Sequence, residues 1–274
     1  MWCLVDVGGT KTRVALTTDR QTFGQPRVFP TPLDYQSGFG QIKLAVGELA
    51  GGGKLQGLIV GVPGVFDRAK TQLIQADNLP DWVGRSLTSE WAKEFAAAVH
   101  FENDAALVGL GEAVSGAGRG AAIVAYLTIS TGVGGAKIEH GRIDQSAQGF
   151  EPGKEIINLT DNQTLESLVS GAALERRLGR PPNQVTDAQV WTELAHHLAV
   201  GVHNAILHWS PDLVVLGGSM IIKTPGIKLS EVITELTRLR TTLQLPLVPV
   251  VAASLGDFGG LYGGLALLNS KSVF

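Results

Sequence analysis

Twice in this chain an apolar run enters a glycine-rich turn and leaves as a second apolar run. The first instance is Trp2 to Val5, then Asp6-Val7-Gly8-Gly9-Thr10-Lys11, then Val14 to Leu16. The second is Ala121 to Ile129, the longest apolar run, then Ser130-Thr131-Gly132-Val133-Gly134-Gly135, then Ala136 to Ile138. Short apolar runs bounded by glycine read as buried strands, and a Gly-Gly turn between two of them reads as a β-hairpin. Adjacent glycines allow positive φ and remove the Cβ atoms that would hold a ligand off the backbone. The repetition predicts two lobes of related topology, each offering a backbone-lined turn to a shared cleft. A chance second hairpin is the competing reading, and the strand-then-helix units that fill the rest of the chain speak against it.

Those units follow in order. Val28-Phe29 is a third strand, and Tyr35 to Leu49 has helical spacing ended by Gly51-Gly52-Gly53. Leu58 to Val62 is a buried strand running into Pro63-Gly64. Leu87 to Val99 reads as a helix capped by Ser86 or Thr88, Val99 to Asp104 as a strand, and Ala105 to Val114 as a helix. Gln163 to Leu178 looks helical, and Thr186-Asp187 caps a long helix to about Trp209, stopped by Pro211. Leu213 to Leu216 is a strand ending in Gly217-Gly218, Ile227 to Leu243 a helix, and Val248 to Ala252 the last strand. A glycine-dense connection, Gly256 to Gly264, leads into a final helix over Leu261 to Leu268. The division expected is a small lobe over 1–115, with the C-terminal helix of about 260–274 packing back on it, and a large lobe over 116–259.

A formal net charge of −3 supplies no broad cationic field, which argues against a nucleic-acid partner. Cys3 is the sole cysteine, so no disulfide can form within the chain, as suits a reducing compartment. The N-terminal run lacks a basic segment and is interrupted by Asp6, and no run nears the ~20 apolar residues that span a membrane. These features predict a cytoplasmic protein without a membrane partner.

The chemistry concentrates at the turns. Backbone N–H groups at Gly8 and Gly9 can seat phosphate oxygens, with a hydroxyl from Thr10 and a charge from Lys11. Asp6, at the strand end, can hold a hydrated Mg²⁺ beside them. The spacing is not that of a Walker A loop. Thr131 and Gly132 could cradle phosphates in the same way, and Gly217-Gly218 could approach an adenine or ribose closely. Asp104 stands at a strand-to-helix junction, where a carboxylate can accept the proton of an attacking hydroxyl, and Asn103 can bond neighbouring hydroxyls. Both residue types are also common helix N-caps, and spacing alone leaves that reading open.

Taken together, Asp6 to Lys11, Val60-Gly61-Val62-Pro63-Gly64, Asn78-Leu79-Pro80-Asp81-Trp82, Asn103-Asp104-Ala105 and Leu127 to Gly135 occur in an order that resembles the ROK family of bacterial sugar kinases. Leu216-Gly217-Gly218 and Phe258 to Gly264 continue the pattern, so that the resemblance covers nearly the whole chain. It implies an α/β, actin-like ATPase (duplicated ribonuclease H-like) fold, and glucokinase-like phosphoryl transfer from Mg-ATP to a hexose or N-acetylhexosamine. In that family the residue matching Asp104 is the base and those matching Asn78 and Asn103 bind the sugar. Phe150-Glu151-Pro152-Gly153-Lys154 matches the family's G-E-x-G-H motif, and Thr164-Leu165-Glu166 a further sugar-binding motif; Glu151, Lys154 and Glu166 are thereby implied as sugar ligands. Family relatives are often dimers, which makes a homodimer a further expectation.

The departures lie in the same segment. The family usually carries a structural zinc site of three cysteines and the motif's histidine, but 154–166 holds no cysteine and no histidine. Zinc needs such N and S ligands, so no zinc is expected. His196, His197, His203 and His208 share the long helix without the spacing of a dedicated site. Lys154, in the histidine's place, offers three donors and no acceptor. The alternative to a kinase is therefore a catalytically weakened sugar-binding or regulatory relative. The family's repressors carry an N-terminal DNA-binding extension, and here the hairpin starts at residue 2. An actin-like filament protein would need no sugar-pocket carboxylates.

Overall fold

The computed structural model describes residues 1–239 and 247–270. It divides into two compact units. One comprises Met1–Val114, Gln145–Gly149 and the described residues from Leu255 on; the other comprises Ser115–Asp144 and Phe150–Ser254.

The first unit is built on five strands, β1 (Trp2–Val7), β2 (Lys11–Thr17), β3 (Arg27–Pro30), β4 (Gly57–Val62) and β5 (Ala98–Asn103), in the spatial order β3-β2-β1-β4-β5. The second unit has β6 (Ile123–Ile129), β7 (Val133–Glu139), β8 (Arg142–Ile143), β9 (Leu213–Gly217) and β10 (Val250–Ala252), in the order β8-β7-β6-β9-β10. The pairing is the same in both: the first three strands are antiparallel neighbours, and the last two add in parallel. The sequence repeat is therefore a repeat of sheet topology. Parallel strands need crossovers, and each sheet fills them with helices.

Every residue of β4 is buried, as expected of a parallel strand covered on both faces. Its core partners include Tyr35, Trp82, Trp91 and Phe101, all essentially inaccessible. Helix α1 (Tyr35–Ala50) starts where the Asp34 carboxylate accepts the Ser37 N–H and ends at Gly51, whose φ of 53° is the left-handed cap that glycine favours. Helix α2 (Leu87–Phe95) is shorter than the spacing suggests, because Ala96 takes a left-handed conformation and β5 begins at Ala98. Ser86 occupies its N-cap position without a side-chain cap bond. Helix α3 (Asp104–Ser115) follows β5 directly.

In the second unit the predicted helix over 163–178 is two helices, α4 (Leu165–Val169) and α5 (Gly171–Leu178). Ser170 breaks it: its backbone is extended, and its hydroxyl accepts the Ala173 N–H as the cap of α5. The long helix α6 (Ala188–Trp209) is capped by Asp187 and buries Leu194, Leu198 and Val202 in the core. Helix α7 (Leu229–Leu239) replaces the helix expected over Ile227 to Leu243; residues 240–243 lie outside the described residues.

The glycine-dense connection is shorter than the sequence suggests, because the helix starts at Gly259. Gly259, Gly260, Gly263 and Gly264 belong to helix α8 (Gly259–Leu268), and residues 271–274 of the predicted helix lie outside the described residues. Gly259 and Gly260 look like connection because glycine is a poor helix former; packing against α3 overrides that. A Cβ on Gly263 would stand 1.7 Å from the Leu107 carbonyl oxygen, and one on Gly111 would stand 2.5 Å from the Gly259 carbonyl oxygen. Only bare backbone lets these helices approach so closely. Gly40 in α1, by contrast, has nothing within 4 Å of a would-be Cβ.

The two sites should respond to alanine with opposite signs. Gly40→Ala should stabilise the protein by about 0.5–1 kcal/mol, the helix-propensity gain. Gly263→Ala should destabilise it by about 3 kcal/mol, as overpacking against fixed backbone does. Urea unfolding of both variants checks the contrast; a neutral Gly263→Ala would contradict the packing described.

Candidate functional site

In each sheet the candidate residues gather at the carboxyl ends of the parallel strands, which is where open α/β sheets bind ligands. In the first unit these ends are Asp6-Val7 of β1, Val62 of β4 and Asn103 of β5.

The turn from Gly8 to Lys11 closes by a Gly8 N–H bond to the Lys11 carbonyl at 3.0 Å. Thr31 braces it, donating its hydroxyl to the Gly8 carbonyl at 2.8 Å and its N–H to Thr10 O at 3.1 Å. Neither Gly8 nor Gly9 has positive φ, so the turn does not use the conformation expected of the glycines. What it uses is space. A Cβ on Gly8 would meet the Lys11 carbonyl at 3.0 Å, and one on Gly9 would lie 3.6 Å from the Asn78 side-chain nitrogen. The fold thus brings Asn78 beside Gly9, with Gly9, Thr10 and Lys11 exposed.

Asp6 is buried at the end of β1. Its cross-strand partner is Arg13, whose Nη1 lies 3.3 Å from Asp6 Oδ2, and Arg13 Nη2 lies 3.7 Å from Asp257 Oδ1. A Cβ on Gly260 would stand 2.5 Å from the Asp6 carboxyl carbon, so the start of α8 leaves room for that carboxylate alone. Burial pushes the Asp6 carboxyl up to about 6, against the opposing pull of Arg13. Reading the sequence picks Lys11 as the cation of this turn and misses Arg13. The hairpin register, which places Arg13 opposite Asp6, was the signal that could have found it.

Asn103 caps the helix that follows it. Its Oδ1 accepts the Ala106 N–H at 3.0 Å as the cap of α3, and its Nδ2 donates to Gly64 O at 3.0 Å. The buried Glu102 accepts the Asn103 N–H at 2.8 Å and Lys70 Nζ at 2.6 Å, which fixes the end of β5. Asp104 is the first residue of α3 and accepts the Ala105 N–H at 2.8 Å.

In the second unit the turn after β6 is held from several sides. Ser130 N–H donates to Gly132 O at 2.8 Å, and the Gly171 and Ala172 N–H groups donate to Ser130 O and Thr131 O at 2.7 and 3.2 Å. The break at Ser170 is what frees those two donors at the start of α5. Glu166 Oε2 accepts the Val133 N–H at 2.8 Å, and its Oε1 accepts Lys154 Nζ at 2.9 Å. A Cβ on Gly132 would lie 2.7 Å from Glu166 Oε2. Lys154, Glu166, Thr131 and Gly132 are thereby brought together, while Glu151 is exposed one turn away, its carbonyl accepting the Lys154 N–H at 3.0 Å. At Gly217 and Gly218 the missing Cβ serves the chain's own strand: it would stand 2.6 Å from the Tyr126 hydroxyl and 2.2 Å from the Ile129 carbonyl, and Gly218 has φ of 88°.

Among the described residues no group of three or more His, Cys, Asp or Glu side chains is arranged to hold a metal ion, and no helix is long and apolar enough to cross a membrane. Mg²⁺ does not require such a group, since it commonly takes one or two carboxylates and completes its shell with water and phosphate. The buried Asp6, with Asp257 on the other side of Arg13, fits that demand.

Two five-stranded sheets of identical topology, each with a glycine turn after its first strand, constitute the actin-like ATPase fold. The ROK family profile matches residues 3–271, and the chain belongs to the ROK family. A glucokinase of Thermotoga maritima is 30% identical over 185 residues, which are 64% of this chain and 58% of that protein. The ROK hexokinase of Thermus thermophilus superposes with a TM-score of 0.81 at 24% identity, covering 97% of each chain. A ROK family glucokinase of Streptomyces griseus, solved in complex with glucose and AMPPNP, superposes with a TM-score of 0.79 at 22% identity, covering 97% of this chain and 98% of that one. Structural neighbours of the chain are thus ROK sugar kinases.

The raised Asp6 value makes a signed prediction. The folded state holds this proton more tightly than the unfolded chain, so the group favours folding most at low pH, and that contribution is lost as pH rises from about 4 through about 6. Asp6→Asn has no such titration. The variant's unfolding free energy, measured against wild type, should therefore improve between about pH 4 and about pH 7. A difference that stays flat with pH would contradict the buried carboxyl.

Proposed function

We propose that the protein is an ATP-dependent sugar kinase that transfers the γ-phosphoryl group of ATP to a hydroxyl of a hexose or N-acetylhexosamine. The observation that carries this reading is the place of Asp104: the first residue of α3, at the carboxyl end of parallel strand β5, its neighbours pinned by Glu102 and by the Asn103 cap. The name of the Thermotoga maritima relative and the glucose and AMPPNP of the Streptomyces griseus structure support a sugar acceptor and a nucleotide donor.

In this mechanism the sugar hydroxyl oxygen attacks the γ-phosphorus, the bond to the bridging oxygen breaks, and ADP leaves with that electron pair. Asp104 takes the hydroxyl proton. Gly9, Thr10 and Lys11, with Thr131 and Gly132, hold phosphate oxygens through backbone N–H groups, hydroxyls and charge; the Gly8 N–H is already bonded to the Lys11 carbonyl, so Gly8 serves by closing the turn, and Gly217 and Gly218 lie against the nucleoside. Asn78, Asn103, Glu151, Lys154 and Glu166 take sugar hydroxyls. Mg²⁺, held by Asp6 through water, would lower the negative charge that the attacking oxygen meets. Positioning and charge account for most of the rate in such transfers.

A sugar-binding relative with weakened turnover is the second reading. It is favoured by the Lys154–Glu166 ion pair, which occupies a carboxylate oxygen otherwise available to a sugar hydroxyl.

Sugar-dependent ADP release separates them. In Asp104→Asn, turnover should fall about 100- to 10,000-fold while the sugar still raises the melting temperature. Retained turnover would remove Asp104 from the mechanism. Absent turnover in the unsubstituted protein, with sugar stabilisation intact, would favour the second reading.

A further inference from the structure

We propose that Arg13 is a phosphate-contacting residue: its guanidinium holds Asp6 while no nucleotide is bound and moves onto phosphate oxygens when Mg-nucleotide arrives. The inference rests on the nucleotide-dependent reading above. It assigns the first glycine turn a cation that neither the sequence pattern nor its match to the family singles out.

The guanidinium is at the turn. It enters from β2 on the same pleat as Asp6, and a Cβ on Gly8 would lie 3.7 Å from its Nη1. Its side chain is only 14% exposed, whereas Lys11 is exposed. The donors of its fork are poorly used. Nη1 reaches Asp6 Oδ2 at 3.3 Å and Lys11 O at 3.4 Å, and Nη2 reaches Asp257 Oδ1 at 3.7 Å. All three exceed the roughly 2.7–2.9 Å of a good charge-assisted bond. Nε is buried with no hydrogen-bond partner. A buried donor left unmatched costs about 1–3 kcal/mol, so the arrangement favours an acceptor arriving from outside.

The chemistry of that acceptor follows from the fork. Guanidinium matches phosphate bidentately, and the phosphate seat proposed for the Gly8–Lys11 turn is adjacent. Asp6 has a complementary need. It is a buried carboxylate whose nearest cation is held loosely, and a hydrated Mg²⁺ satisfies it better than a guanidinium at 3.3 Å. Mg-nucleotide brings an anion for Arg13 and a cation for Asp6 together. Each partner of a loose pair then gains a new partner of opposite charge. Asp257, largely exposed, is the carboxylate that steers the guanidinium on its outer side.

Calorimetric binding of Mg-ADP and Mg-ATP to wild type, Arg13→Lys and Arg13→Met tests this, with sugar-dependent ADP release measured on the same samples. Arg13→Met should weaken both nucleotides about tenfold or more, the loss expected of one charge-assisted contact, and leave the KM for sugar unchanged. Arg13→Lys, a point charge without a fork, should fall between. If Arg13→Met folds poorly because Asp6 is left without a counter-charge, Asp6→Asn and the double variant Asp6→Asn/Arg13→Met make the same comparison without that carboxylate. Equal nucleotide affinity within either pair, in a protein that does bind Mg-nucleotide, would overturn the role of Arg13 and leave the kinase reading standing. A wild type that binds no Mg-nucleotide would overturn both.

Discussion

A buried carboxylate near the end of a strand is costly to fold, and the first unit is arranged around the one at Asp6. Burial raises the energy of its charged form, Arg13 lowers it from across the hairpin, and Gly260 clears the space above it. The glycine helix α8 can begin there only because its backbone packs directly on α3, where Gly111 and Gly263 are bare. α3 in turn begins at Asp104. The residues that fix the acid end of β1 are therefore mechanically continuous with those that fix the end of β5. The C-terminal helix is part of what holds both strand ends in place.

The two glycine turns solve one problem in different ways. A backbone turn that presents N–H groups to a ligand must have its carbonyls satisfied elsewhere. After β1 the chain does this within its own hairpin, through the Gly8–Lys11 bond and the Thr31 hydroxyl. After β6 it borrows the N-terminus of α5, whose first two N–H groups take Ser130 O and Thr131 O; Glu166 separately accepts the Val133 N–H, which braces the turn but satisfies no carbonyl. The carboxylate that binds sugar in the proposed function is in this structure also a brace of the second turn, and Lys154 is its counter-ion.

Much of this was legible in the sequence. The repeated strand–turn–strand announced two sheets of one topology, because both local signals, apolar runs and glycine turns, agree with the tertiary outcome. The helix end at Gly51 and the cap at Asp187 are likewise local chemistry. What could not be read depends on contacts between segments far apart in the chain. Gly259 and Gly260 read as connection until α3 is placed beside them. Ser170 sits inside a plausible helical pattern until the carbonyls of Ser130 and Thr131 require donors there. Arg13 looks like any charged residue in a strand until the hairpin register sets it opposite Asp6. At Gly217 and Gly218 a ligand and the chain's own strand both call for a missing side chain, and sequence cannot tell the two apart.

The central claim is phosphoryl transfer to a sugar, and its product is the most direct witness. Phosphorus NMR of the protein with Mg-ATP and, in turn, each of a panel of hexoses and N-acetylhexosamines should show ADP and a sugar phosphomonoester growing together for at least one sugar. ADP accompanied only by inorganic phosphate, or no ADP with any sugar, would contradict the account.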